Sequence, residues 1–277
     1  MPQVNFRGRF LWHELLTTDP KAAVKFYTKV TGWTTKAWEE NPSYLMWMTE
    51  TGPVGGVLPL PDEAKAMNAP PHWLPYIGTP DIDATVDAAV RLGAKVIKGN
   101  ISMPSVGRWA VMADPAGAVF APFTPASAPM QQSDTPQVGQ FSWHELATTD
   151  GAAGFAFYEQ LFGWQKTDAM DMGPGGGIYQ MFGWGGKSMG GIYKPTKESG
   201  IPPHWMSYVH VRDTNKAVEA INKGGGKIVN GPMEVPGGDL IAVAKDPQGG
   251  AFAVHSLNPA AAAKAKAPGT PAKAGKT

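Results

Sequence analysis

The sequence predicts an α+β protein: two copies of one domain in tandem, each a pair of βαβββ modules closing into a cupped mixed sheet. Three observations carry this. First, Trp12-His13-Glu14-Leu15 returns as Trp143-His144-Glu145-Leu146, a shift of 131 residues that also takes Asp19 to Asp150, Phe26-Tyr27 to Phe157-Tyr158 and Gly32-Trp33 to Gly163-Trp164. Pro70-Pro71-His72-Trp73 recurs as Pro202-Pro203-His204-Trp205, and Asp114-Pro115 as Asp246-Pro247, both shifted by 132. Markers this far apart holding nearly one offset establish a duplication. Second, each half repeats a strand–helix–strands order within itself. Third, the 34 glycines and 26 prolines fall mostly between short apolar runs, as strands joined by tight turns require.

The elements follow in order. Phe10–Leu15 reads as a short apolar strand. Asp19-Pro20 supplies an N-cap and a first helical residue, Ala23, Phe26, Tyr27 and Val30 recur at helical spacing, and Gly32 ends the helix. Strand-like runs such as 44–48 and 56–58 come next. The second module opens with Trp73–Ile77, continues with a helix from Asp81 through Val86 and Val90 to Gly93, and closes with strands at 95–97, 109–112 and 118–123. A helix on one face of each small sheet leaves the other face free, and two such sheets edge to edge enclose a cup.

The chain of 277 residues divides into a first domain at 1–124, a proline-rich linker at 125–138, a second domain at 139–258 and an Ala/Lys/Pro tail at 259–277. The tail has too few large apolar side chains to offset its ordering entropy and reads as disordered. A formal net charge of +1 gives no basic field for nucleic acid. The absence of cysteine excludes disulfides and thiolate metal sites and fits a reducing cytoplasm. Neither a membrane-length apolar run nor a signal-peptide core is visible. A small-molecule ligand is therefore the expected partner, with the chain a two-domain monomer or a homodimer.

Strand alternation selects the candidate residues. The cup face of the first strand carries Phe10, Trp12 and Glu14, and its repeat carries Phe141, Trp143 and Glu145. The facing strands carry His72, Leu74 and Tyr76, and His204, Met206, Tyr208 and His210. Glu14 and Glu145 sit in otherwise apolar strands, where a carboxyl gains a raised pKa suited to proton transfer or accepts a hydrogen bond from structure or ligand. His72 and His204 would be their partners, or would lock the turn after Pro-Pro. Trp12, Tyr76, Trp143, Tyr208 and His210 would contact a planar ligand, although core packing also accounts for the aromatics. His13 and His144 fall on the helix-covered face as core histidines. The Gly55-Gly56 and Gly190-Gly191 pairs lack a strand-to-helix setting, so bulges or tight turns explain them better than phosphate binding.

The strand-Asp-helix-Phe-Tyr-x-x-x-x-Gly-Trp stretch (Asp19 to Trp33, Asp150 to Trp164) and the Asp-Pro-x-Gly turn (Asp114 to Gly117, Asp246 to Gly249) resemble the vicinal oxygen chelate superfamily of glyoxalases, bleomycin resistance proteins and extradiol dioxygenases. The resemblance spans roughly 8–125 and 139–258, and Trp-His-Glu-Leu with Thr-Thr-Asp resembles its two-domain glyoxalase-like group. It implies lyase, isomerase or oxygenase-like chemistry on a divalent metal held by His, Glu or Gln, or metal-free drug binding. In metal-binding members one ligand lies about seven residues before each helix-capping Asp and another seven after the Asp of Asp-Pro-x-Gly. Here those positions are Trp12, Leu74, Ala121, Trp143, Met206 and Ala253, none of which ligates metal. No cofactor is expected on this reading. Two functions follow: a glyoxalase-like enzyme acting on a small carbonyl or aromatic metabolite, or a metal-free protein that sequesters such a ligand.

Overall fold

A computed structural model describes residues 6–127 and 135–258. The first module comprises β1 (Phe10–Thr17), α1 (Pro20–Thr31), β2 (Thr34–Trp38), β3 (Asn41–Thr49) and β4 (Gly52–Pro59). A short helix, α2 (Asp62–Ala66), leads to the second module: β5 (His72–Gly78), α3 (Ile82–Arg91), β6 (Lys95–Met103), β7 (Gly107–Ala113) and β8 (Val119–Pro125). The third module is β9 (Phe141–Ala147), α4 (Gly151–Phe162), β10 (Gln165–Asp171), β11 (Ile178–Trp184) and β12 (Lys187–Tyr193). The fourth is β13 (His204–His210), α5 (Thr214–Lys223), β14 (Lys227–Glu234), β15 (Leu240–Lys245) and β16 (Ala251–Ser256). The tail at 259–277 and the middle of the linker, 128–134, lie outside the described residues.

Local sequence sets the helix limits. The Asp19 carboxylate accepts from the Ala22 amide at 3.0 Å, Pro20 occupies the first turn, and Gly32 closes α1 at φ 79°. Asp150, Pro-free but otherwise alike, caps α4 through the Ala153 amide, and Gly163 ends it in the left-handed region.

Each half forms one eight-stranded sheet, in the orders β2-β3-β4-β1-β5-β8-β7-β6 and β10-β11-β12-β9-β13-β16-β15-β14. The antiparallel seams β1–β5 and β9–β13 join the modules, flanked by the parallel pairs β1–β4, β5–β8, β9–β12 and β13–β16. Glu14 is paired with Leu74 and Trp12 with Tyr76; in the second sheet Glu145 is paired with Met206 and Trp143 with Tyr208.

The helix-bearing faces of the two sheets meet, and the core lies between them. One cluster joins Ile77, Met112 and Phe120 of the second module to Tyr158, Phe162 and Trp164 of the third; another joins Phe26, Tyr27 and Trp33 of the first to Ile221, Phe252 and Val254 of the fourth. The hydrogen bonds crossing this junction obey the repeat. Tyr27 donates to Asp246 at 3.0 Å and Tyr158 to Asp114 at 3.1 Å, while Trp33 donates to the Gly139 carbonyl and Trp164 to that of Gly8. The Phe-Tyr and Asp-Pro-x-Gly motifs of one half therefore bind the complementary motifs of the other.

At the centre of the junction, His13 and His144 meet through their Nε2 atoms at 2.8 Å. His13 is also bonded to the Val54 backbone, and His144 Nδ1 stands 3.4 Å from the Met189 carbonyl. A bond between two imidazole nitrogens needs one proton, so one of the two neutral rings carries its proton on Nε2 and donates it to the other. Burial holds both imidazoles below the ordinary range, His144 to about 3, and keeps them neutral.

Candidate functional site

The concave face of each sheet carries one polar centre. In the first, the Trp12 indole donates to the Tyr44 hydroxyl at 2.8 Å, Tyr44 to Glu14 Oε1 at 3.0 Å, and Tyr76 to Glu14 Oε2 at 2.6 Å. An indole N–H can only donate, so Tyr44 accepts from Trp12 and sends its own proton toward the carboxyl. The second cup repeats the wiring: Trp143 donates to Tyr179 at 2.7 Å, Tyr208 donates to Glu145 at 2.8 Å, and Tyr179 is also bonded to Glu145.

Apolar side chains surround both centres. Leu16, Leu74, Ala121, Trp109 and Phe123 pack around Trp12 and Tyr76; Met206, Ala253, Ile241 and Val243 pack around Trp143 and Tyr208. Burial raises the pKa of Glu14 and Glu145, and the tyrosine hydrogen bonds oppose that rise without cancelling it. Each tyrosine is pushed up in turn by burial and by the carboxylate beside it. As residues, both glutamates are half-buried. The result is a proton-accepting group held among aromatic rings.

Two sequence expectations change at this site. Phe10 and Phe141 do not face the cups. A bulge at Leu11, between the Phe10–Ile77 and Trp12–Tyr76 pairs, turns Phe10 to the helix side, and a bulge at Ser142 does the same for Phe141. Phe10 stacks on His144 and Phe141 on His13, each at 3.6 Å between ring centres.

His72 and His204 are not the glutamates' hydrogen-bonding partners. Their Nδ1 atoms lie 2.8 and 2.9 Å from the carbonyls of Pro70 and Pro202, one strand step beyond Leu74 and Met206, and burial lowers both pKa values. His210 stands at the far end of β13, with Nδ1 3.0 Å from the Pro136 carbonyl and its ring 5.6 Å from that of His255.

Tyr44 and Tyr179 are the partners that sequence reasoning missed, and a signal for them exists. They share an offset of 135 with Gly55-Gly56 and Gly190-Gly191. Side chains at Gly56 or Gly191 would run into the rings of Tyr44 or Tyr179, and side chains at Gly55 or Gly190 into the carbonyls of His13 or His144. The glycine pairs clear a path for the tyrosine and let the neighbouring strand close in.

The donor set around Glu14 is one carboxylate and two phenol oxygens, with Trp12, Leu74 and Ala121 beside them. Among the described residues, no group of three or more His, Cys, Asp or Glu side chains is placed to hold a metal ion. The residues do not fit the divalent-metal site of metal-dependent relatives.

Residues 140–254 match the model of the glyoxalase/bleomycin resistance protein/dioxygenase superfamily, and residues 13–122 that of a glyoxalase-like domain. CFP32 of Mycobacterium tuberculosis, provisionally named a glyoxylase, is 31% identical over 255 residues, covering 90% of this chain and 94% of its own. The anthracycline biosynthesis protein DnrV of Streptomyces peucetius is 28% identical, with 92% and 96% covered. Among solved structures, the Mn(II)-bound glyoxalase of Novosphingobium aromaticivorans superposes with a TM-score of 0.62 at 14% identity, over 91% of this chain and 82% of that one. Homoprotocatechuate 2,3-dioxygenase of Brevibacterium fuscum gives 0.63 at 15% identity, with 93% and 84% covered. At these identities the two structures establish the fold alone.

Proposed function

The chain belongs to the glyoxalase/bleomycin resistance protein/dioxygenase superfamily, and on that premise we propose that each cup acts, without a metal, on a small planar carbonyl or aromatic metabolite. The observation that carries this reading is the Glu–Tyr–Tyr–Trp centre, present in both cups with the same wiring. Glu14 and Glu145 serve as proton acceptors. Burial raises their affinity for a proton toward the working range, and the tyrosine hydroxyls orient the carboxylate and stabilise it when charged. Trp12 and Trp143 flank the centre and offer ring surface to a planar ligand. The relative named for anthracycline biosynthesis supports the aromatic part of this reading.

A second reading has its own support. Both carboxyl oxygens of Glu14 already accept tyrosine hydroxyls, which suits a carboxylate that anchors a sequestered ligand instead of turning it over. One experiment separates the two. Planar aromatic carbonyl compounds are titrated against the full chain by tryptophan fluorescence, and turnover is followed for those that bind. Glu14→Gln and Glu145→Gln keep the shape and remove the titrating group. Acid–base action predicts a loss of turnover of about 10²-fold or more with little change in affinity. Sequestration predicts weaker binding, by about 1–3 kcal/mol, and no turnover to lose. Unchanged affinity and turnover in the double variant would remove both glutamates from the site.

A further inference from the structure

The second cup ends in a group of side chains that the first lacks. The bulge of β9 carries Ser142, whose Oγ lies 2.9 Å from His255 Nδ1; His255 Nε2 lies 3.1 Å from Asp239 Oδ2. A carboxylate can only accept, so His255 carries its proton on Nε2, and its Nδ1 lone pair, at 2.9 Å, is a nearer acceptor for the Ser142 hydroxyl than the Tyr208 carbonyl at 3.4 Å. Asp239 is fixed in turn by the Asn258 amide at 2.7 Å. Serine proton to imidazole, imidazole proton to carboxylate: this is the order in which a hydroxyl is activated as a nucleophile, with the two imidazole nitrogens exchanged relative to the usual triad.

The fold does not need this relay. In the first domain the equivalent positions are Leu11, Phe123 and Gly107. Phe123 packs there against Tyr76 and Trp109, so an apolar corner closes the same sheet end. The relay is also within reach of solvent. Ser142 is partly exposed, and the His255 and Asp239 side chains are 16% and 28% exposed. Its place beside the Tyr208–Trp143 pair puts aromatic surface next to the hydroxyl.

We propose that Ser142, His255 and Asp239 form a second catalytic site, specific to the second domain, that transfers acyl groups from small aryl esters to water. Ser142 Oγ attacks the ester carbonyl carbon as its proton passes to His255 Nδ1, and Asp239 stabilises the imidazolium. The tetrahedral adduct collapses, the C–O bond to the phenol breaks, and the leaving oxygen takes the proton from His255. Water, deprotonated by His255, then attacks the acyl-serine, releases the acid and restores the hydroxyl. This site does not depend on the glutamate reading, and its test does not use the glutamates.

The test is covalent labelling of the full chain with a fluorophosphonate, mapped by peptide mass spectrometry, together with p-nitrophenyl acetate hydrolysis. The expected result is one adduct per chain, on Ser142. Ser142→Ala should abolish it, and His255→Gln should slow labelling and hydrolysis by about 10²-fold or more. Asp239→Asn should slow both to a smaller degree. Thermal melts of each variant separate lost reactivity from lost folding, and Ser142→Ala is mild enough to keep the fold. No adduct on Ser142 in folded protein would overturn the proposal, as would labelling of His255→Gln at the wild-type rate.

Discussion

In the first cup the wall beside the Glu14 centre is built by Leu58, Leu16 and Phe123, whereas the second sets Tyr193, Ala147 and His255 at the matching positions. Tyr193 stacks on Tyr179 at 6.0 Å between ring centres, and burial, with the charge of Glu145, pushes its pKa up to about 12. The polar centre itself, a carboxyl between two tyrosine hydroxyls with an indole behind one of them, is the same in both. The two halves thus share the polar centre and the helix-side junction, while two of these three wall positions are apolar in the first cup and polar in the second. A junction residue answers to a partner in the other half, so a change there must be matched. On the proposed function, a wall residue answers only to a ligand, and the two cups would share one kind of chemistry and differ in what they admit.

The largest effect should come from closing one cup at a time. Gly56→Val would drive a side chain into the Tyr44 ring and Gly191→Val into that of Tyr179. Each should cost about 1–3 kcal/mol in urea melts, as overpacking does, and should abolish ligand binding in its own cup alone. Loss of both cups from either substitution would show that they are not independent.

The junction should respond symmetrically. Tyr27→Phe leaves Asp246 and the Trp73 indole without the shared hydroxyl, and Tyr158→Phe does the same to Asp114 and Trp205. Each should destabilise the chain by about 1–3 kcal/mol, and the two losses should agree closely. A cost confined to one would mean that one half alone governs the unfolding transition.

Acid should weaken the same junction. His13 and His144 have depressed pKa values in the folded chain, so the unfolded chain binds more protons. Their contribution is complete above the unfolded histidine value of about 6.5 and is lost as pH falls below it. The slope is at most about 1.4 kcal/mol per pH unit for each imidazole. Glu14 and Glu145, raised by burial, act in the opposite sense: their protonated forms favour the folded state below about 4.5, and this is lost as pH rises. Urea midpoints between pH 7 and 5 should fall with pH, and Glu14→Gln/Glu145→Gln should steepen that fall by removing the opposing groups.

The smallest effect tests the walls. Leu58→Tyr and Tyr193→Leu exchange the two positions and should change stability by about 1 kcal/mol or less. Each should move ligand preference in its own cup, read as relative affinity for hydroxylated and unsubstituted aromatic compounds. No change in preference would place selectivity elsewhere in the walls.

The fold was legible because its signals are local or repeated. Asp19, Pro20 and Gly32 mark α1 by hydrogen bonding and backbone conformation within one turn. The apolar positions Ala23, Phe26, Tyr27 and Val30 are all buried as their spacing requires. The site was legible in part. Glu14, Tyr76 and Trp12 were placed on one face by alternation along β1 and β5, and they meet there. Alternation failed at Leu11 and Ser142, where one inserted residue reversed the facing of Phe10 and Phe141; a bulge depends on the partner strand and leaves no mark in its own.

The sequence by itself determined the duplication, the two-module order and the presence of a carboxyl in an apolar strand, since these rest on spacing and side-chain type. Only the tertiary structure decided the carboxyl's partners. Tyr44 reaches Glu14 across the one strand between them, β4, because Gly56 leaves its ring a path, and His72 is turned instead to the carbonyl of its own Pro70. It also decided that Tyr27 and Asp246, 219 residues apart, share one hydrogen bond. Hydrogen bonds act over about 3 Å, so their partners are settled by which strands and domains pack together, and spacing along the chain does not encode that packing.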